Sequence, residues 1–477
     1  MDYQIIIGLE VHAQLKTKTK IFCRCRADQN SPPNSNICPI CLGHPGVLPS
    51  LNKKVVDFAT TIALALNCKI NTTSTFDRKN YFYPDLPKGY QITQFETPIA
   101  EDGYIAIEID DNEKNIGIQE MHIEEDSGKQ FHPEGSGFPY SLIDMNRASV
   151  PLVEIVSKPD MRSPKEAVQY LKRLRQLLRY LDVSDCNMEM GNFRCDANVS
   201  LLFSDGSCTN RREVKNLNSF RSLERALKYE VGSQKRAYDK GIILQSCTLA
   251  YDEKTGKTSE MREKETSSDY RYFPEPDLPP LVLSSERISY LKDKLPELPW
   301  QRKQRFIFKY NMRDYDAEIL TTDYRLADTF EKCAKKIDNQ DLVTKWFIAE
   351  YLRVLKELKI TAKDFPVDTD KIIELLRMIT ENKITKQSSQ KLFTLMVEEN
   401  GDPIIIAKRE KLFQLSDSDE LENIVESVIN DFPKEVKAYK EGKDKLLAFF
   451  IGQVMYRTKG NANPEITRAL LSEKLSQ

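Results

Sequence analysis

The chain has 477 residues, of which 40% are apolar and 30% charged. That composition excludes collagen-like, mucin-like and wholly disordered classes, and the length suits roughly two to four domains. Lys and Arg number 70 against 72 Asp and Glu, a formal net charge of −2, so bulk charge announces no nucleic-acid partner, although a local basic patch is compatible with it.

No apolar run reaches the roughly 18 residues a spanning helix needs, so no membrane helix is expected. The opening MDYQIIIGLEVH carries an early acid and no basic stretch before its short apolar run. Neither a secretory signal nor an Arg-rich transit peptide is expected, and the cytosol is the expected compartment. Ten cysteines in a chain of this length do not make a disulfide scaffold; in a reducing compartment they read as core thiols or metal ligands.

The first 290 residues or so mix short β-like runs with turn-rich segments. Residues 5–7, 104–109, 116–123, 152–156 and 199–203 are strand candidates, several with period-two alternation. Gly8-Leu9-Glu10-Val11-His12 continues the first, and on a strand Glu10 and His12 share a face. Next comes Cys23-x-Cys25, followed after twelve residues by Cys38-x-x-Cys41. Two close pairs on two loops suit four sulfurs around a tetrahedral, structural Zn²⁺; reduced thiols in a minor core are the alternative. The other six cysteines form no paired spacing.

The stretch 78–91 (RKNYFYPDLPKGYQ) mixes cations, aromatics and turn residues. That texture suits base stacking and phosphate contact, or a rigid packed loop. Met121-His122-Ile123-Glu124-Glu125-Asp126 ends a strand in three acids, which repel one another unless a cation joins them. With His12 they suit Mg²⁺; a solvated acidic turn is the other reading.

Ser163-Pro164-Lys165-Glu166 carries an N-cap, a proline at the first helical position and a capping-box acid, with Val168, Leu171, Leu174 and Leu178 at helical spacing behind it. Residues 189–198 and 212–219 set Glu213 and Lys215 among amides just before a second helix, starting near Ser219. Charges alternating there can hold a metal-bound phosphate, or form a surface ion-pair network. Gly256-Lys257-Thr258 lacks the upstream glycine of a phosphate-binding loop, since Tyr251 stands there.

Pro274, Pro276, Pro279 and Pro280 predict the end of the first unit and a stiff linker. From Ser285 onward the pattern is helical, with a break near Gly401-Asp402-Pro403. Residues 434–477 hold nine basic and five acidic residues, a local +4, with the turn Lys459-Gly460-Asn461-Ala462-Asn463-Pro464 shaped to approach a phosphate backbone. A solvated helical face accounts for the charge equally well. The expected fold class is α+β followed by two all-α units.

Taken together, the GLEVH segment, the cysteine quartet, residues 78–91, 122–129, 144–147, 151–156, 194–198, 215–220, 269–276 and the tail turn closely resemble the B-subunit family of the aspartyl/glutamyl-tRNA amidotransferases, nearly end to end. The resemblance implies a cradle domain around a β-sheet with a zinc-binding loop (1–292), a helical domain (293–403) and a tRNA-binding tail domain (404–477). It implies a heterotrimer with an amidase partner and a small third partner. ATP and Mg²⁺ then phosphorylate the misacylated aminoacyl group of Glu-tRNA(Gln) or Asp-tRNA(Asn), and ammonia from the amidase displaces phosphate. On that reading His12, Glu125 and Glu213 are expected Mg²⁺ ligands and Cys23, Cys25, Cys38 and Cys41 hold Zn²⁺. Glu10, Lys79, Tyr81, Glu124 and Lys215 are expected catalytic residues, and Lys459, Asn461 and Asn463 are expected on tRNA. A non-catalytic, zinc-bearing tRNA scaffold is the competing reading; it gives no reason to gather His12 and acids around Mg²⁺. One departure from the family pattern is Cys247-Thr248-Leu249, where similar chains usually read Glu-Thr-Arg.

Overall fold

The computed structural model describes residues 2–28, 30–110, 112–131, 140–263, 269–414, 418–458, 460 and 462–476. The chain forms two compact units, Met1–Leu298 and Pro299–Gln477.

The first unit is built on nine strands: β1 (Tyr3–Gln14), β2 (Lys69–Ile70), β3 (Ala100–Ile109), β4 (Asn112–Glu125), β5 (Pro151–Ser157), β6 (Phe193–Phe203), β7 (Arg212–Lys215), β8 (Cys247–Asp252) and β9 (Lys257–Glu263). They lie in the order β9-β8-β7-β6-β1-β5-β4-β3-β2, antiparallel except for the β7–β8 pair. Each strand candidate from the sequence falls inside a longer strand. The apolar run at 5–7 is only the start of β1, because the polar positions beyond it alternate outward while Ile7, Leu9, Val11 and Ala13 stay buried. That alternation gives the sheet one apolar and one polar face.

Helices α2 (Pro164–Tyr180) and α3 (Phe220–Asp239) pack on each other, α2 also against β1 and β3 and α3 against β6 and β9. Ser163 Oγ caps α2 by accepting from the Glu166 N–H at 3.1 Å. The Glu166 carboxylate reaches back to the Arg162 N–H at 2.9 Å, one residue earlier than a capping box predicts. Ser219 caps α3 in the same way, through the Ser222 N–H at 3.0 Å. Helix α1 (Lys53–Ala65) had no sequence signal of its own, because its buried residues, from Val55 and Val56 through Thr60 to Ala63, wrap too far round it to show a clean period.

The proline-rich stretch is extended but is not a free tether. Phe273 and Pro274 pair with Arg78 and Asp77, and Leu281 and Val282 pair with Ser74 and Thr73. Arg78 grips Glu275 (Nε–Oε2 2.7 Å) and Asp277 (3.2 Å). Helix α4 (Ser285–Asp293) follows, its Arg287 Nε donating to Asp57 of α1 at 3.0 Å.

The second unit is helical throughout its described elements apart from an isolated bridge between Ile384 and Phe413. It has two apolar clusters. One gathers Phe306, Phe330, Phe347, Leu376 and Phe393 and runs on to Leu412; the other gathers Leu421, Val425, Phe450, Val454 and Leu471. No helix among the described residues is long and apolar enough to cross a membrane.

Candidate active site and cysteine cluster

Register assembles the site on the polar face of the sheet. Directly opposed residues of antiparallel neighbours share a face. One row therefore runs Arg194 (β6), His12 (β1), Glu154 (β5), His122 (β4). The next row sets Asp196 opposite Glu10, and the one beyond sets Asn198 between Gly8 and Glu213. Glu124, two residues from His122, lies on the same face.

His12 Nε2 stands 3.5 Å from Glu124 Oε1 and 3.6 Å from Glu154 Oε1. One donor atom from each of the three falls within 4.8 Å of the others, an arrangement able to hold a metal ion. Burial, together with the charge of Glu154, pushes the Glu124 carboxyl above its usual range. Burial also raises Glu154, but the imidazoles of His12 and His122 and the ammonium groups of Lys79 and Lys215 outweigh it and bring that carboxyl below its usual range. Glu124 is buried and Glu154 half-buried, and two imidazoles with the ammonium groups of Lys79 and Lys215 supply the positive charge around them. The oxygen-rich donor set with one nitrogen fits Mg²⁺ or Mn²⁺, with bonds of about 2.1 Å.

Beside this group opens a cavity of about 310 Å³ lined by His12, Lys79, Tyr81, Glu124, Arg194 and Lys215, among others. Five residues expected from sequence at the chemistry thus border one space. Lys79 Nζ rests 4.7 Å from the centre of the Tyr270 ring, and Tyr81 donates to Gln91 Oε1 at 3.3 Å. Lys215 Nζ lies 3.2 Å from Asp196 and 3.6 Å from Glu213; burial lowers its pKa, and these two acids outweigh that and raise it. Glu10 accepts from Asn198 Nδ2 at 2.7 Å. It belongs to this neighbouring polar group on β1, β6 and β7 and lies outside the His12 trio.

Two expected metal ligands stand elsewhere. Glu125 follows Glu124 on the strand and so projects oppositely: it pairs with Lys88, accepts from the Ile92 N–H at 2.9 Å and from the Ser149 hydroxyl. Glu213 accepts from Thr248 Oγ1 at 2.9 Å, beside Lys215. The residue that completes the trio, Glu154, carries a sequence signal: it is the one charge in the otherwise apolar run Pro151-Leu152-Val153-Glu154-Ile155-Val156. Arg194 is a second omission. Its Nη2 meets Asp126 at 2.9 Å, while its buried Nε has no partner.

The Cys23, Cys25, Cys38 and Cys41 sulfurs all lie within 4.8 Å of one another. Cys38 and Cys41 are 3.9 Å apart, matching the roughly 3.8 Å edge of a tetrahedron with Zn–S bonds of about 2.3 Å. The Cys41 thiol is drawn down to about 5 by its contact with Cys23, the Cys38 N–H and the Lys20 ammonium, while burial pushes Cys25 up to about 11. The pull of Lys20 is direct, with Nζ 3.6 Å from Cys41 Sγ. Such a set fits a structural zinc.

Of the tail residues expected on tRNA, Lys459 and Asn461 lie outside the described residues. Asn463 caps the helix Pro464–Ser476, its Oδ1 accepting from the Glu465 and Ile466 N–H groups at 2.9 and 3.2 Å.

The GatB/GatE catalytic domain family matches residues 5–289, and the GatB domain family matches residues 328–475. The chain belongs to the B-subunit family of the aspartyl/glutamyl-tRNA(Asn/Gln) amidotransferases. The B-subunit of Carboxydothermus hydrogenoformans is 46% identical over 478 residues, covering 100% of this chain and 99% of that protein. The B-subunits of Thermoanaerobacter pseudethanolicus and Pseudothermotoga lettingae are 45% and 46% identical, each over 100% of both chains. The region matched by the first of these family models contains the His12 trio, the adjoining cavity and the cysteine quartet.

Proposed function

We propose that this chain is the component of a glutamine-dependent amidotransferase that activates the side-chain carboxylate of misacylated Glu-tRNA(Gln) or Asp-tRNA(Asn) with ATP and amidates it. Its partners in a heterotrimer are an amidase, which supplies ammonia, and a small third protein, and the complex works in the cytoplasm. A carboxylate is a poor acyl donor because an oxide is a poor leaving group. Transfer of the γ-phosphoryl to the carboxylate oxygen releases ADP and makes phosphate the leaving group; attack by ammonia on the acyl carbon then expels phosphate and gives the amide.

The observation that carries this reading is the gathering of His12, Glu124 and Glu154 beside a cavity that His12 and Glu124 line together with Lys79 and Lys215. Mg²⁺ held by those three residues would neutralise charge on the transferring phosphoryl. Lys79 and Lys215 supply cations for phosphate oxygens, Glu10 helps to orient Lys215, and Tyr81 borders the place for the aminoacyl end. The quartet Cys23, Cys25, Cys38 and Cys41 holds a structural Zn²⁺ that fixes its loop. The basic tail, with Lys459, Asn461 and Asn463, approaches the tRNA body.

A scaffold without chemistry would have no use for two acids and a histidine gathered beside a cavity that presents two lysines, which favours the catalytic reading. The test is a reconstituted complex supplied with each mischarged tRNA and either glutamine or ammonium. ATP cleavage and amide product dependent on both tRNA and this chain are expected. Amide formation without ATP cleavage, or ATP cleavage intact in His12→Ala, would overturn the assignment.

A further inference from the structure

Lys20 is fully buried, with 0% exposure, and nothing in the chemistry above uses it. Its ammonium meets two groups, Cys41 Sγ at 3.6 Å and the Met145 carbonyl at 3.3 Å. Among the described residues no carboxylate is paired with it. A buried ammonium is costly unless negative charge lies beside it. Four neutral thiols supply none, whereas four thiolates around Zn²⁺ make a dianion. The lysine therefore complements the loaded quartet, and a core of neutral thiols would leave it without an anion.

Lys20 also sits where the quartet joins the rest of the first unit. Its backbone N–H donates to the Cys25 carbonyl at 2.9 Å, so one residue reaches both cysteine pairs. The next N–H, of Ile21, donates to the Ser149 carbonyl at 3.0 Å. Met145 and Ser149 belong to a short segment that leads into β5. Ser149 takes a φ of +62°, a left-handed conformation that a residue with a side chain keeps only where its surroundings hold it. Its N–H donates to the Asp126 carbonyl at 2.9 Å, and the Asp126 N–H donates to the Val150 carbonyl at 2.8 Å. Arg147 donates to the Ser127 and Gly128 carbonyls at 3.0 and 2.6 Å. Asp126 in turn holds Arg194 on the wall of the catalytic cavity. A continuous run of contacts thus leads from Cys41 through Lys20 and residues 145–150 to Asp126.

We infer that Lys20 is a positioning residue: it balances the charge of the zinc-loaded quartet and, through Met145, holds the 145–150 segment and the Asp126 edge of the catalytic cavity in place. The inference rests on the zinc reading above and adds that the metal acts beyond its own loop. The charge of Lys20, more than its bulk, is then what the quartet needs, and the effect of losing the metal reaches residues that touch no sulfur.

The test uses the full chain as wild type, Lys20→Met and Lys20→Arg. Zinc affinity is measured by competition with a chromophoric chelator. Hydrogen exchange at the Asp126 and Ser149 amides is followed in zinc-saturated and chelated protein, with helix α2 as internal reference. Lys20→Met should bind zinc about 10-fold to 100-fold more weakly, and Lys20→Arg, which keeps the charge, should recover most of that loss. Chelated wild type and zinc-saturated Lys20→Met should both lose protection at Asp126 and Ser149, with α2 unchanged. An unchanged zinc affinity in Lys20→Met, or unchanged protection at those two amides with its quartet saturated, overturns the role of Lys20. If Lys20→Met does not fold, Lys20→Gln, which keeps a donor and drops the charge, carries the affinity measurement. Chelated wild type then carries the exchange measurement, where unchanged protection overturns the coupling. A wild-type chain that takes up no zinc overturns the zinc reading first, and the role of Lys20 with it.

Discussion

Two buried glutamates, one in each unit, show what separates an acid used for folding from one available for chemistry. Glu331, in the helix Tyr324–Lys336, is held by Arg305 (Nη1–Oε1 2.7 Å), Arg302 (2.9 Å) and Lys335 (3.2 Å). Those cations, Arg305 foremost, draw its carboxyl down to about 2. Glu124, on β4, has the half-buried Glu154 and the His12 imidazole for neighbours, and burial pushes its carboxyl up. Three cations on one carboxylate saturate it and lock two helices. The two carboxylates beside His12 feel Lys79 only at longer range, with no arginine or lysine clamped on Glu124 among the described residues, and a divalent ion could bridge them.

The sharpest way to break this contrast is to remove one acid from each site. Glu154→Gln should lower tRNA-dependent ATP cleavage by about 10²-fold or more, because the group that would hold the ion loses a charged donor. Its melting temperature should fall only slightly, since relief of the repulsion on Glu124 offsets the loss of the cations that hold Glu154 below its usual range. Glu331→Gln should do the reverse: a loss of about 2 kcal/mol in unfolding free energy, with ATP cleavage preserved. If Glu154→Gln lowers the melting temperature sharply and leaves ATP cleavage intact, the trio is a structural network like that of Glu331.

The cysteine quartet sharpens the comparison from another side, because its four sulfurs lie within 4.8 Å of one another and could hold a metal ion. The purified chain should carry one equivalent of zinc by atomic absorption, and Cys41→Ser should lose it. Chelation should lower the melting temperature by several degrees and expose the loop to proteolysis, since zinc binding free energy is folding free energy for such a loop. Retention of stability after full zinc loss would return the quartet to a small apolar core.

How far the site could be read from sequence follows the same division. Strand alternation gave Glu10 and His12 a common face, and cap chemistry at Ser163 and Ser219 marked where α2 and α3 begin. Those signals are local. The trio depends on the order of strands β4, β5 and β1, which brings Glu154 opposite His12, and no local rule carries sheet order. Glu125 shows the complementary limit. Three adjacent acids look equivalent in sequence, yet alternation sends Glu124 to the polar face and Glu125 to Lys88 and Ser149. The prolines at 274–280 predicted a stiff linker, and carried no signal that residues 273–274 and 281–282 would pair with residues 73–78.

The two glutamates also oppose each other in pH. Glu331 has a folded pKa below the usual 4.5, so its contribution is present above 4.5 and lost as pH falls toward about 2. Glu124 has a folded pKa above the usual value, so the folded state is favoured at low pH and that advantage is lost as pH rises through the raised value. Urea midpoints of the chain should therefore fall between about pH 5 and about pH 3 in the transition that reports the second unit, and Glu331→Gln should flatten that fall. Glu124→Gln should raise the midpoint of the first unit at neutral pH and change little below the usual 4.5. A slope unaffected by either substitution would detach these carboxylates from stability.

The smallest effect is expected at Asn463, where the folding and binding readings meet in one side chain. Its carbonyl oxygen already caps the last helix through two backbone N–H groups. Asn463→Ala should therefore cost about 1 kcal/mol through the lost cap, whatever tRNA does. Asn463→Asp separates the roles, because aspartate caps as well as asparagine but brings a negative charge toward any phosphate nearby. If the tail turn lies on tRNA, Asn463→Asp should keep the stability of the wild type and weaken tRNA binding, most clearly at low salt. If both substitutions leave affinity unchanged, Asn463 serves the helix alone, and the basic charge of the tail must act through other residues.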